Sequence, residues 1–366
     1  MDYNKFTREQ VLFLTFAAGC SNMAYTFTWA VYLSKRSSWI VLAIGIMMII
    51  PFAVGILYLC KNYTGYTIFD IIDEGFGRLL YIMVILFYSL ITIALGAYIL
   101  NMFVGSVKVY FLPHTPSWIL MLFLVFMSFL FVNNRTLLFG RAVELLTIWY
   151  IFNYFIGFSL SFVKEFKIEN VIPIFDTTLS EFGEGIFFSM GAASEILLAT
   201  MVMVAHIPAP YEHRKWIVRG ITLWAFILAL AVFIMQGISG YEMLSRTTEA
   251  GIGVSRAIYI GDFVRGLEVF ILATYQLITI LKISLYIYGI WIPIKKLFNQ
   301  KYSTVILVVI TLLIFIPSVW LNSSNSAYFF SIFASYFVIL PFVIIVMLLA
   351  WLGIRIIKRR SGGGLN

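Results

Sequence analysis

Ten apolar runs, at about 9–33, 38–60, 79–106, 117–133, 138–163, 185–209, 215–239, 263–290, 303–321 and 328–354, fill most of this 366-residue chain. A helix needs about 20 apolar residues to cross the hydrocarbon core of a bilayer, and the runs are of that order. Hydrophobic residues make up 62% of the sequence and charged residues 11%, with a mean hydropathy of +0.98. No soluble domain of this size could be clothed in so little polar surface. The expectation is an all-α integral membrane protein of about ten transmembrane helices.

The charges then set its orientation. About 16 of the 25 Lys and Arg, among them Lys5, Arg8, Arg78, Arg214, Lys296 and Arg360, fall between runs or near their ends on the side that carries both termini. The positive-inside rule therefore predicts cytoplasmic termini. The net charge of +8 is scattered over these loops and forms no patch for nucleic acid. Cys20 and Cys60 lie within runs, which argues against a structural disulfide. His114, His206 and His213 show no metal-ligand spacing, so neither metal nor other cofactor is expected. The start, MDYNKFTREQ, lacks the pattern of a removable signal peptide. No linker divides the chain, which reads as one transmembrane domain, 1–358, with a short flexible tail, 359–366. The outer segment 164–184 is acidic (Glu165, Glu169, Asp176, Glu181, Glu184) and reads as either a solvated loop or a ligand-facing surface.

Two runs are interrupted at their centres. The first carries Gly19, Cys20, Ser21 and Asn22, and the sixth carries Gly191, Ala192, Ala193, Ser194 and Glu195. Interrupted spans at matching places in two halves point to an inverted five-plus-five repeat with a midplane binding site. There the opened helix ends offer free N–H groups to an anionic ligand group. Close helix packing through small residues is the plainer alternative. Glu195 lies about 15 Å deep, where an ionisable group is costly and suggests function; a neutral structural carboxyl is the other reading. Lys282 in the eighth run either takes the place of a coupling cation or snorkels to the interface. Tyr88, Thr92, Asn101, Asn153, Gln236, Gln276 and Thr279 add intramembrane polarity, with Tyr88 and Thr92 placed beside the expected site. Arg141 and Glu144, three apart, are expected to pair.

Read in order, FTREQ, TIFDIIDEGFGRLL, PHTPSWILM, GRAVELL, NVIPIF and IGDFVRGLEVFILATYQLITILKIS resemble successive motifs of the B subunits of bacterial spore germinant receptors. These form the spore-germination permease family of the amino acid–polyamine–organocation superfamily. Departures fall at Ala250-Gly251, at Arg265-Gly266, at Tyr275 and at Ser21-Asn22, where the family more often has Tyr-Pro, a shifted Arg, Trp and Gly-Thr. The resemblance implies a LeuT-like fold and A and C partner subunits in the spore inner membrane. It also implies sensing of a small nutrient, commonly an amino acid, bound at Gly19, Cys20, Ser21, Asn22, Tyr88, Thr92, Gly191, Ser194 and Glu195. Because Ser21-Asn22 departs from the family within that pocket, ligand identity does not carry over. A proton-coupled amino-acid transporter of the same fold, with Glu195 or Lys282 carrying the proton, is the alternative. A membrane enzyme is disfavoured by the lack of an HExxH motif or a nucleophile elbow.

Overall fold

The computed structural model describes residues 5–20, 23–133, 136–247, 267–298, 300–321 and 334–362, which are helical but for turns and short connections. A capping box starts α1 (Arg8–Gly19): the Thr7 hydroxyl accepts the Gln10 N–H at 3.3 Å, and the Gln10 side chain accepts the Thr7 N–H at 3.0 Å. The helix stops at Cys20, whose φ of −66° and ψ of 171° are extended. The run resumes as α2 (Met23–Ser34) and turns at Lys35–Ser37 into α3 (Ser38–Met47) and α4 (Ile50–Leu59). Pro51, in the first turn of α4, has no N–H to continue the α3 ladder, which explains the interruption there.

A short helix, α5 (Ile68–Phe76), lies outside the ten runs. A second capping box, Thr67 with Asp70, starts it, and Ile68, Ile71, Ile72 and Gly75 form its buried face. Gly77, at φ 93°, lets the chain leave α5 directly into the 33-residue α6 (Arg78–Tyr110). Then follow α7 (Ser117–Asn133), α8 (Thr136–Glu165), α9 (Leu179–Ala193), α10 (Glu195–Met203), α11 (Arg214–Arg246), α12 (Leu267–Lys295), α13 (Ser303–Trp320) and α14 (Leu340–Gly362). The last runs past the expected domain boundary at 358.

Seven helical stretches are long and apolar enough to cross a membrane, among them Phe27–Leu59, which turns back at Lys35; α7 is a shorter apolar helix. Helix occupies each of the ten runs. The packing repeats between halves. The second span (α3) lies on the start of the sixth (α9), as the seventh (α11) lies on the start of the first (α1). Likewise α6 packs on α13, and α12 on α7. These exchanges are what a five-plus-five repeat requires. Large apolar side chains on α6 (Leu79, Met83, Leu86, Leu90) face outward, as befits contact with lipid rather than water.

Polar groups hold the ends. The Asn101 side chain donates to Ser318 O (3.2 Å) and Leu321 O (2.5 Å), satisfying carbonyls at the end of α13. Ser38 donates to Gln236 at 3.1 Å, and Gln236 to Lys35 O at 3.3 Å, clasping the α2–α3 turn to α11. Asn153 only back-bonds to Trp149 O. The expected Arg141–Glu144 pair does not form: Arg141 is exposed, and a pair three apart is worth too little (about 0.2–0.5 kcal/mol) to hold it. Both cysteines are free and buried, so the folded chain is expected to resist N-ethylmaleimide until denatured, which mass spectrometry would read.

Where α5 meets α14, a Cβ on Gly75 would stand 2.5 Å from Gly353 Cα. Backbone cannot yield as a side-chain tip can, so Gly75→Ala is expected to cost about 1–3 kcal/mol. A thermal melt of the purified variant checks this.

Candidate functional site

The two interrupted spans meet at one charged centre. Glu195 is the first residue of α10, so its carboxylate sits at a helix N-terminus, where the dipole favours negative charge. Lys282, midway along α12, is only 1% exposed. Its ammonium pairs with Glu195 Oε2 at 2.8 Å and donates to Ala18 O, one of the last carbonyls of α1. Tyr286, one turn further along α12, donates its hydroxyl to the same Glu195 oxygen at 2.6 Å. Each charge thus faces the helix end of favourable sign and a hydrogen-bond partner. Burial of an ion costs several kcal/mol, which these contacts offset. Snorkelling is excluded for Lys282: its side chain stays in the bundle.

The interruption in the sixth span is milder than the sequence suggests. It is confined to Ser194, whose dihedrals (φ −60°, ψ −17°) stay right-handed. Its N–H and hydroxyl both bond to Gly191 O, at 3.1 and 2.5 Å, so a tightened turn replaces the expected unwinding. The first span is broken more fully, at extended Cys20, and Ser21 and Asn22 lie outside the described residues. Gly19 is required by a close approach: a Cβ there would lie 2.6 Å from the Trp224 ring.

Tyr88 sits beyond the pair, its hydroxyl donating to Leu198 O at 3.2 Å and tying α6 to α10. Gly289 on α12 makes room for it, since a Cβ would come 2.5 Å from the Tyr88 hydroxyl. Thr92 bonds its own helix at Tyr88 O (2.7 Å) and does not reach the charged centre. Among the described residues no cluster of His, Cys, Asp or Glu has a metal-binding arrangement.

Three elements escaped the sequence reading. Tyr286 completes the centre. Trp224 packs against Gly19 with a buried indole N–H that has no hydrogen-bond partner among the described residues. The third is an aromatic closure at the face that carries the N-terminus. There the Phe6 N–H bonds His206 O at 2.8 Å, the Tyr288 hydroxyl meets His206 Nδ1 at 2.7 Å, and Phe139 stacks on Tyr288 at 5.3 Å. The same face carries ion pairs of Asp70 with Lys296 (2.5 Å) and of Asp73 with Arg78 (2.7 Å). At the opposite face the acidic segment is partly absorbed: Asp176 pairs with Arg36 at 3.3 Å and Glu181 with Lys35 at 3.5 Å.

Solved structures share this architecture. A Na+-coupled sialic acid symporter, substrate-bound and outward-open, superposes with a TM-score of 0.62 at 14% identity, covering 93% of this chain and 78% of the symporter. MhsT in complex with L-phenylalanine gives 0.62 at 10% identity, covering 94% and 89%. The fold is therefore LeuT-like, and the chain is a non-enzymatic, multi-pass integral membrane protein of permease or receptor type. A family model described as spore germination protein matches residues 6–327, and the chain belongs to that spore germination permease family. YfkT of Bacillus subtilis (strain 168), a protein assigned by its description to spore germination, is 23% identical over 270 residues, 70% of this chain and 71% of YfkT.

Proposed function

We propose that this chain is the nutrient-sensing B-type subunit of a spore germinant receptor. It acts with A and C subunits in the spore inner membrane, both termini in the cytoplasm. A small nutrient, an amino acid foremost, binds at midplane where the first and sixth spans are interrupted, near Gly19–Asn22, Gly191, Ser194 and Glu195. The observation that carries this reading is the Lys282 ammonium, which joins the end of α1 to the head of α10 through Ala18 O and Glu195. A ligand seated beside it changes the balance of contacts between two half-helices, and a ligand shifts a conformational equilibrium only through such differential contacts. The test is the nutrient dose-response of spores carrying Ser21→Ala, Asn22→Ala or Glu195→Gln. The half-maximal nutrient concentration is expected to rise at least tenfold in one or more of them. Unchanged responses in all three at normal protein levels would sink the site assignment.

A second reading, proton-coupled amino-acid transport with the Glu195–Lys282 pair carrying the proton, is favoured by one observation: a structural neighbour is a symporter. It requires saturable uptake of labelled amino acid by vesicles holding this chain alone. Sensing requires no such uptake, and germination that depends on the partner subunits.

A further inference from the structure

We infer that the edge where α4 meets α11, on the face that carries the N-terminus, holds the phosphate of an anionic lipid headgroup between Lys61 and Arg214. Cations on this face are held in two ways. Lys296 and Arg78 lie against carboxylates, Asp70 at 2.5 Å and Asp73 at 2.7 Å, which cancel most of their charge. Lys61 and Arg214 lie on rings instead: Lys61 Nζ is 4.2 Å from the Tyr58 centroid, and Arg214 Cζ is 4.4 Å from that of Tyr211. A ring positions a cation through its quadrupole but carries no net charge, so both charges keep their field. The two rings meet edge to face, 5.6 Å apart and at 75°, which draws cations from two separate elements together. Among the described residues no carboxylate, the adjacent Glu212 included, pairs with either of them. Like charges brought together repel, and an anion between them reverses the sign. Arg214 is fixed at one edge, its Nη1 donating to Tyr211 O at 3.0 Å, which leaves further N–H groups of the fork for phosphate oxygens. Lys215, exposed at the next position, and Arg219, 4.7 Å from the Trp216 ring, extend the basic edge. Depth selects the source of the phosphate. Tyr58, 51% exposed, closes the apolar α4, and Lys61 follows it within three residues. Tyrosines and basic residues at the ends of spans sit at headgroup level, where a phosphate is always at hand. The inference stands apart from where the nutrient sits and from which leaflet this face meets.

The test is native mass spectrometry of the purified chain titrated with phosphatidylglycerol or with phosphatidylcholine of the same acyl chains. The first phosphatidylglycerol is expected to bind at least about tenfold more tightly. Lys61→Gln with Arg214→Gln, which keeps polar stems over both rings, should bring the two lipids within about threefold of each other. Lys358→Gln with Arg359→Gln removes the same charge from the end of α14 and should leave the preference within about twofold. Tyr58→Leu with Tyr211→Leu keeps both cations but frees them, and should cost at least about threefold in phosphatidylglycerol affinity. That arm decides the matter even where the charge variant does not fold. Inorganic phosphate, at an ionic strength matched with NaCl, should leave the lipid bound. Equal affinity of the unmodified chain for the two lipids overturns the inference, as does a preference that survives the loss of Lys61 and Arg214. Equal losses in the two charge variants, or unchanged affinity in the ring variant, overturn it in favour of diffuse attraction. Displacement of the lipid by inorganic phosphate overturns it in favour of a free anion.

Discussion

Lys282→Met is expected to destabilise the purified chain by about 3–5 kcal/mol, whereas the same change made together with Glu195→Gln costs far less. Methionine keeps most of the apolar stem but takes the cation away from the buried Glu195 carboxylate, to which the Tyr286 hydroxyl still donates at 2.6 Å. A buried carboxylate that has lost its cation draws on the folding free energy. Removing both charges removes that debt, and an uncharged pair in a core is often nearly neutral. A double-mutant cycle on denaturant or thermal unfolding should therefore give a coupling of about 2–3 kcal/mol. Additivity within about 0.5 kcal/mol would show that the pair, for all its 2.8 Å geometry, does not act as a unit.

The parts of this centre were legible to different degrees, for physical reasons. Glu195 and Lys282 stand out because a charge in an apolar run is rare, but nothing in the linear order says that they meet. Pairing is a property of how α10 and α12 pack, and only the bundle fixes that. The breaks showed as Gly and small polar residues. Those residues permit both a close helix contact and an opened turn, and the sixth span uses the lesser option at Ser194. Trp224, Tyr286 and Phe6 left no mark. Spans here are apolar on every side, since lipid-facing and core-facing positions are both hydrophobic, so periodicity does not separate a gate from a lipid contact. The helix α5 was missed for the opposite reason: its nine residues, bearing Asp70, Asp73 and Glu74, are too short and too charged to stand among the apolar runs. Its apolar face shows only once α14 covers it.

Phe6→Ala is expected to raise the rate of Cys20 alkylation by at least tenfold in a detergent-solubilised Cys60→Ser background. Phe6 lies just before the α1 cap, 2% exposed, its ring against His206 (5.8 Å) and Tyr288 (6.3 Å). Through it the first span is held to the turn that follows α10 and to the C-terminal part of α12, on the N-terminal side of the charged centre. Cys20 is fully buried at the break of the same span, so a reagent reaches it only when the closure parts. Truncating a buried Phe removes about 3–5 kcal/mol of packing. If even half of that is lost on opening as well, the closed state is still weakened by more than the 1.4 kcal/mol that shifts a two-state equilibrium tenfold. Tyr288→Phe, which keeps the ring and deletes the bond to His206, should give a smaller rise, since one neutral hydrogen bond is worth about 1 kcal/mol. The order of the two rates carries the argument: rings that close by packing predict Phe6→Ala above Tyr288→Phe, and the reverse order would assign the closure to the hydrogen bond. Equal, unchanged rates in both variants would place the route to Cys20 elsewhere and leave Phe6 a core residue with no part in gating.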